Sequence, residues 1–271
     1  MELWSDLHLK TLLPAIFVFA SISIFLGIWL SKKDESIRLI PIKILSVILV
    51  LLEIAKQIYA IAIGYDLYNL PLHFCSIIVF LLPIFAFYKG KHCRPIRCIT
   101  SVCCLLATLV TIVCPCIVYS RESIRCFSTD FLCAHAVIFH NLIILTCMLV
   151  MALNLNSFKT KQDSVGIIVA CFLYSALAGA LANALKTNFN NFYYAKISFL
   201  ENIRINIVHS LGVGGQILYV VAVATTLTIG AFVSYFLLRL HNIIIEKIKN
   251  KTKKPAWKQV FILLHKCQIC L

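Results

Sequence analysis

The sequence has few charged residues and few of the residues that interrupt helices. Only 13% of its 271 residues are charged, whereas soluble proteins carry about 25%, and 61% are hydrophobic. There are 9 glycines and 7 prolines, and no Gly/Ser linker, low-complexity tract or internal repeat is present. These absences exclude a soluble globular enzyme, a linker-joined array of domains and a repeat protein.

Apolar runs of about 20 residues occupy most of the chain. A hydrocarbon core of about 30 Å takes about 20 helical residues, and a helix satisfies its own backbone polar groups in lipid. We therefore predict an all-α polytopic transmembrane helix bundle of about seven spans within residues 1–240. The first run has no positively charged start and no clear cleavage site, so we interpret it as a retained span. The predicted spans are residues 11–30, 39–64, 70–88, 99–119, 131–155, 164–185 and 208–238.

The basic residues are distributed unequally between the two sides of this bundle. Of the 25 Lys and Arg, six lie in the N-terminal segment and the even-numbered loops, and seventeen lie in the odd-numbered loops and the C-terminal tail. Basic loops stay on the cytoplasmic side. The distribution predicts an outside N-terminus, a cytoplasmic C-terminus and a multi-pass protein of the cell membrane.

Much of the net charge of +14 sits in the tail at residues 241–271. Lysines close to the inner membrane surface attract anionic lipid, at about 1 kcal/mol per charge. We therefore expect the tail to bind anionic lipid and do not expect the protein to bind nucleic acid. The apolar segment after Pro255 is too short to span and fits an interfacial amphipathic helix.

Ionisable residues inside the predicted spans are the main functional signal, because a charge in hydrocarbon is costly unless it has a partner. Glu53 and Lys56 lie three residues apart on the second span and can form an ion pair on one helix face. The competing interpretation is a self-neutralising structural pair. Other polar groups are His73 and Cys75 at the start of the third span, and His135 and His140 on the fifth.

The predicted topology places these groups at a similar depth. With a rise of about 1.5 Å per residue, Cys75 lies about 8 Å below the outer boundary, and His135 and His140 lie about 6 and 14 Å below it. Lys56 lies about 12 Å below the outer end of its own span. We therefore expect one polar cavity in the outer half of the bilayer.

The start of the third span suggests a regular helix, with Asn69 as N-cap and Pro71 in the first turn. Residues two apart on such a helix point about 200° away from each other. On this interpretation His73 is not the base for Cys75, and the partner of the thiol comes from another span.

The other cysteines do not form a metal site in the sequence. The pair at residues 114 and 116 lacks the two-residue spacer of a zinc or redox motif, and Cys93, Cys98, Cys103 and Cys104 contain no Cys-x-x-Cys spacing. We predict no metal and no cofactor. Cys126 and Cys133 lie on the predicted outer side, and spacing alone does not decide whether they form a disulfide.

The stretch Leu-Pro-Leu-His-Phe-Cys at residues 70–75, preceded by Glu-Ile-Ala-Lys at 53–56, resembles the signature of the YwaF and transmembrane protein 164 family. The fifth-span histidines and the Thr-Asn-Phe at 187–189 follow the same order of features. The resemblance extends over roughly residues 40 to 240, and its first motif is the most specific part.

This resemblance implies an acyltransferase that remodels glycerophospholipids, with membrane lipids as its substrates. The position of Cys75 matches the family nucleophile, and His140 matches the family histidine more closely than His135 does. Thiol attack on an ester, with a histidine moving the proton, is coherent chemistry for such an enzyme. The candidate substrate-binding residues are Glu53, Lys56, His73, Asn183 and Asn188.

Two other classes of protein use the same polar residues. A small-solute or proton-coupled transporter would use Glu53, Lys56 and His140 as an ion path, although the chain shows no inverted repeat. A non-catalytic structural membrane protein would use them to hold helices together.

Overall fold

The computed structural model describes residues 4–118, 121–156, 158 and 161–252, and every regular element in this part of the chain is helical. Three short 3-10 helices lie at Leu67–Asn69, Phe74–Ser76 and Cys126–Ser128. The α-helices are α1 Asp6–Leu30, α2 Glu35–Arg38, α3 Ile40–Ala62, α4 Ile77–Phe87, α5 Cys93–Val113, α6 Pro115–Val118, α7 Arg121–Arg125, α8 Phe131–Ala152, α9 Lys161–Ala184, α10 Ser198–Leu211 and α11 Val213–Thr252.

Five of these helices are long and apolar enough to cross a membrane. They are α1, α5, α8, α9 and α11, which confirms an all-α membrane protein. α3 is equally long but carries Lys43, Glu53 and Lys56, and it is not among the five. The count of seven spans, the side on which each terminus lies and the boundary at residue 240 stay predictions.

The predicted third span is wrong in its bounds. We expected a helix over residues 70–88, whereas α4 comprises 11 residues, Ile77–Phe87, and is about 16 Å long. Pro71 has no backbone N–H to donate, and it disfavours helical geometry at the residue before it. Residues 70–73 are therefore an irregular segment, and Asn69 is not the N-cap, since Ser76 occupies that position.

The predicted seventh span is also divided differently. We expected one helix over residues 208–238, but α10 ends at Leu211 and α11 begins at Val213. Gly212 lies between them with φ of 56° and ψ of −132°, a conformation that side-chain-bearing residues avoid. α11 then continues through Thr252, while the tail predicted to lie in the interface falls mostly outside the described residues.

α5 and α8 are the centre of the bundle. α5 packs against α4, α8, α9 and α11, and α8 packs against α1, α3 and α5. Side chains between them form a continuous apolar core whose fully buried members include Leu49, Ile78, Leu82 and Ile143. The direct packing of α3 on α8 brings the second and fifth predicted spans side by side.

The hairpin of α10 and α11 depends on close contact at a glycine. A Cβ atom on Gly215 would lie 2.8 Å from the Cα of Val208 and would also clash with the carbonyl of Ile207. A Cβ on the neighbouring Gly214 would meet nothing within 4 Å. Only one of these adjacent glycines is therefore required by packing.

We predict that Gly215→Ala lowers the stability of the detergent-solubilised protein by about 1–3 kcal/mol, because backbone atoms must move to admit the methyl group. Gly214→Ala is the matched control and should be neutral or up to about 1 kcal/mol more stable, since alanine favours helix. Thermal unfolding of the two variants checks this. Equal melting temperatures would contradict the close contact.

Candidate functional site

Cys75 lies in a short 3-10 helix between the irregular segment and α4. Because residues 70–73 are not helical, the expected separation of about 200° between His73 and Cys75 does not apply here. The thiol is half-buried and packs against the apolar core. Its position is therefore set by a bent segment of backbone, as is common for reactive groups.

Two side chains that are more than 100 residues away in the sequence hold residues 72–74 in place. Asn190 Oδ1 accepts a bond of 2.9 Å from the backbone N–H of Phe74, and Asn190 Nδ2 donates to the carbonyl of Leu72 at 3.2 Å. Tyr174 Oη donates to the same carbonyl at 2.8 Å and also contacts Asn190 Nδ2. We call Asn190 and Tyr174 the Cys75 clamp.

Glu53 is the centre of a buried ion-pair network. Its Oε1 lies 2.7 Å from Lys56 Nζ and accepts a bond of 2.7 Å from Gln57 Nε2. Glu53 and Lys56 are 5% and 8% exposed, so each compensates a charge that would otherwise be costly to bury. The expected pair on one face of the helix is present.

The same carboxylate connects α3 to α8. His135 Nε2 lies 3.6 Å from Glu53 Oε2, and the His135 ring stacks on Phe139. The imidazole is 6% exposed. Glu53 and His135 therefore interact across the contact between α3 and α8. The sequence predicted them on two different spans at a similar depth.

The imidazole of His140 has a different partner from that of His135. Its Nδ1 lies 2.7 Å from the carbonyl oxygen of Ala136, one turn earlier on α8. A carbonyl can only accept, so Nδ1 carries the proton and Nε2 holds the lone pair in the neutral ring. His140 is thus in the tautomer that can take a proton at Nε2.

Lys56 connects these groups. Its ammonium interacts electrostatically with Cys75, with His140 and with His73, in addition to its pair with Glu53. The thiol of Cys75 and the imidazoles of His73 and His140 therefore all lie within electrostatic range of one cation. Tyr174 also interacts with Cys75.

His73 lies at the edge of this cluster. Its Nε2 is 3.3 Å from the carbonyl oxygen of Tyr68, and its ring contacts the rings of Tyr68 and Phe189 edge-on. Lys196 donates to Tyr68 Oη at 3.3 Å and acts electrostatically on His73. His73 thus belongs to an aromatic group at the surface end of the site.

Asn183 has both ends of its amide engaged in a second polar cluster. Its Nδ2 donates to the carbonyl of Gly179 at 2.8 Å, and its Oδ1 accepts from Gln216 Nε2 at 2.9 Å. Arg204 donates to Gln216 and forms two bonds with Glu201, which hold the pKa of Glu201 below its usual value. This geometry suits a helix contact better than a substrate contact.

Asn188 differs from Asn183 in having a donor without a protein partner. Its Oδ1 accepts from the backbone N–H groups of Tyr193 and Tyr194, both at 3.3 Å. Its Nδ2 is buried and has no hydrogen-bond partner, and the residue is 4% exposed. Such an orphaned donor is unusual in a folded protein.

Several residues of the site were missed in the sequence. Gln57 also donates to the carbonyl of Asn69 at 2.8 Å and accepts from Tyr65 Oη at 2.6 Å, which extends the network from Glu53 to the loop. Gln57 lies four residues after Glu53 and was detectable as a same-face neighbour. Tyr174 and Asn190 are over 100 residues from the segment they hold, and no local pattern identifies them.

In the described part of the chain no group of three or more His, Cys, Asp and Glu side chains could hold a metal ion.

We predict that Tyr174→Phe increases the rate at which Cys75 is alkylated, because loss of the hydroxyl removes one of the two hydrogen bonds to the carbonyl of Leu72 and loosens the Cys75 clamp. The hydrogen bond is worth about 1 kcal/mol. Tyr219→Phe is the matched control, since its hydroxyl donates to the carbonyl of Asn191 at 2.6 Å, next to the clamp. Peptide mass spectrometry after timed alkylation gives the rate, and equal rates at Cys75 in both variants would contradict the clamp.

Comparison with known proteins agrees with the motif at residues 70–75. No curated protein and no solved structure shows significant similarity to the chain. The model of the TMEM164 family matches residues 3–235, most of the chain. The protein belongs to the TMEM164 family.

Proposed function

We propose that this protein is an integral membrane, thiol-dependent acyltransferase that acts on glycerophospholipids, with Cys75 as nucleophile and His140 as base. The observation that carries the proposal is the electrostatic influence of the Lys56 ammonium on both Cys75 and His140. A nucleophile and a base on two different helices thereby share one electrostatic environment. The resemblance of residues 70–75 to the family signature implies the same chemistry.

Lys56 assists the thiol in this proposal. A nearby cation stabilises the thiolate, which is the nucleophilic form of cysteine. The same cation can stabilise the negative charge that develops on the ester oxygen during attack. Glu53 keeps Lys56 in place and holds His135 on the opposite side of the ion pair.

His140 suits the role of base better than His135. The bond from Nδ1 to the carbonyl of Ala136 orients the ring of His140 and leaves the lone pair on Nε2. His135 is directed at Glu53 instead, with 3.6 Å between Nε2 and Oε2. We assign His135 to positioning of the buried carboxylate, with His140 moving the proton.

The reaction proceeds in two balanced halves. The proton of Cys75 passes to His140, the sulfur attacks the ester carbonyl carbon of a donor lipid, and the C–O bond breaks as the leaving alkoxide takes the proton from His140. A lyso-lipid hydroxyl then gives its proton to His140 and attacks the thioester, and the released thiolate regains the proton. The sequence of steps uses no cofactor.

Three other polar groups are the substrate contacts in this proposal. Asn188 Nδ2 is a buried donor that can bind a carbonyl or phosphate oxygen. Lys56 and His73 interact with each other, and in this proposal they contact the polar part of the lipid. Membrane lipid is thus the substrate of a multi-pass protein of the cell membrane, and the basic tail binds anionic lipid.

We predict that Cys75→Ser lowers acyl transfer by at least about 10³-fold, because an alcohol at this position is a far weaker nucleophile than a thiolate. His140→Gln should lower it by about 10²–10⁴-fold, the usual contribution of a general base. Cys93→Ser is the control, since Cys93 is also half-buried and lies outside the cluster. The assay follows a labelled acyl chain from phospholipid to lyso-phospholipid in vesicles that contain the purified protein.

Retained transfer in a well-folded Cys75→Ser protein would contradict the thiol mechanism. The buried Glu53–Lys56 pair gives the transporter alternative a specific test. If Glu53→Gln abolishes ion flux into the vesicles while Cys75→Ser leaves it intact, the cluster is an ion path.

A further inference from the structure

The loop before α8 contains two cysteines that the proposed site does not use. Cys126 opens the 3-10 helix Cys126–Ser128, and Cys133 lies in the first turn of α8. Their side chains interact with each other, and both are half-buried. We propose that Cys126 and Cys133 are a modification site at which an intramolecular disulfide forms. This proposal is independent of the acyltransferase proposal.

Hydrogen bonds order the backbone between the two cysteines. The N–H groups of Thr129 and Asp130 donate to the carbonyl of Cys126 at 3.0 and 2.9 Å. Asp130 then caps α8 by accepting from the N–H of Cys133 at 3.0 Å. These bonds join Cys126 to Asp130 and Asp130 to Cys133 while the thiols are reduced, so the turn between the two interacting side chains is already formed.

A disulfide here would add a covalent link to a contact that α7 and α8 already make. Ile124, in α7 just before Cys126, is buried in a small core with Leu12 of α1 and Ile144 of α8. Cys133 is two residues before His135. The bridge would therefore secure α7 to the start of the helix that carries both histidines of the polar cluster.

The neighbouring Glu122 controls how readily the bridge forms. Cys126 Sγ donates to Glu122 Oε1 at 3.3 Å, and this bond raises the pKa of Cys126 to about 11. The thiol is therefore kept protonated, and the thiolate is the form that attacks a disulfide.

The oxidation is a thiol–disulfide exchange with a small-molecule disulfide as oxidant. One thiolate attacks the oxidant and releases one molecule of its thiol, and the second cysteine attacks the mixed disulfide and releases the other. The cysteine pair loses two electrons and two protons, and the oxidant gains them. The loop is predicted to lie on the outer side of the membrane, where such bonds persist.

The test uses the full-length protein in detergent, incubated with oxidised glutathione, alkylated and then cleaved after Phe127 and Phe131. These cuts separate the cysteines, so that their peptides stay joined only through a disulfide. We expect the linked pair in the wild type, its loss in Cys126→Ser, and its retention in the Cys93→Ser control. Glu122→Gln should form the bridge several-fold faster, since the thiol is no longer held by a carboxylate.

A second readout is thermal unfolding. The bridged wild type should melt roughly 5 °C higher than the reduced protein, because a closed loop restricts the unfolded chain, and Cys126→Ser should show no such difference. Full alkylation of both thiols after oxidation, or linkage of Cys133 to a second protein molecule, would overturn the proposal.

Discussion

The buried carboxylate of Glu53 is the constraint on which the rest of the site depends. A charge at 5% exposure inside a helix bundle has to be compensated by neighbours, and Lys56, Gln57 and His135 supply that compensation. Removing one partner of a buried pair costs about 3–5 kcal/mol, because the other charge is left uncompensated. Since His135 comes from α8, its contact with the carboxylate adds a polar interaction to the apolar packing of α3 on α8.

The second constraint is the irregular backbone at residues 70–73. A non-helical segment cannot satisfy its own polar groups, and inside a membrane protein such a segment is tolerated only where other parts of the protein supply partners. Asn190 and Tyr174 supply them to Phe74 N–H and to the Leu72 carbonyl. Asn190 can do so because asparagine tolerates its φ of 49° more readily than most residues. Cys75 is therefore placed by contacts that are formed only when the chain has folded.

The parts of the structure that the sequence predicted well are those set by local periodicity. The bounds of α3, α8 and α9 agree with the expected spans to within three residues, and the Glu53–Lys56 pair follows from their spacing on a helix. The prediction failed at Pro71 and Gly212, where one residue ends or prevents a helix inside an apolar run. A hydropathy average does not detect such a break, because the residues on both sides of it are apolar. The Cys75 clamp depends on partners over 100 residues away, which a single sequence does not reveal.

Lys56 links the buried ion pair to the thiol, because its ammonium acts on both Glu53 and Cys75. A lysine that only neutralised Glu53 could do so at any depth in the bundle. Two apolar side chains in place of the pair would then give a protein that is at least as stable. Its ammonium instead lies where it also acts on Cys75, His73 and His140. In the proposed mechanism the same cation stabilises the thiolate and the developing oxyanion, which is a role that a purely structural ion pair would not have.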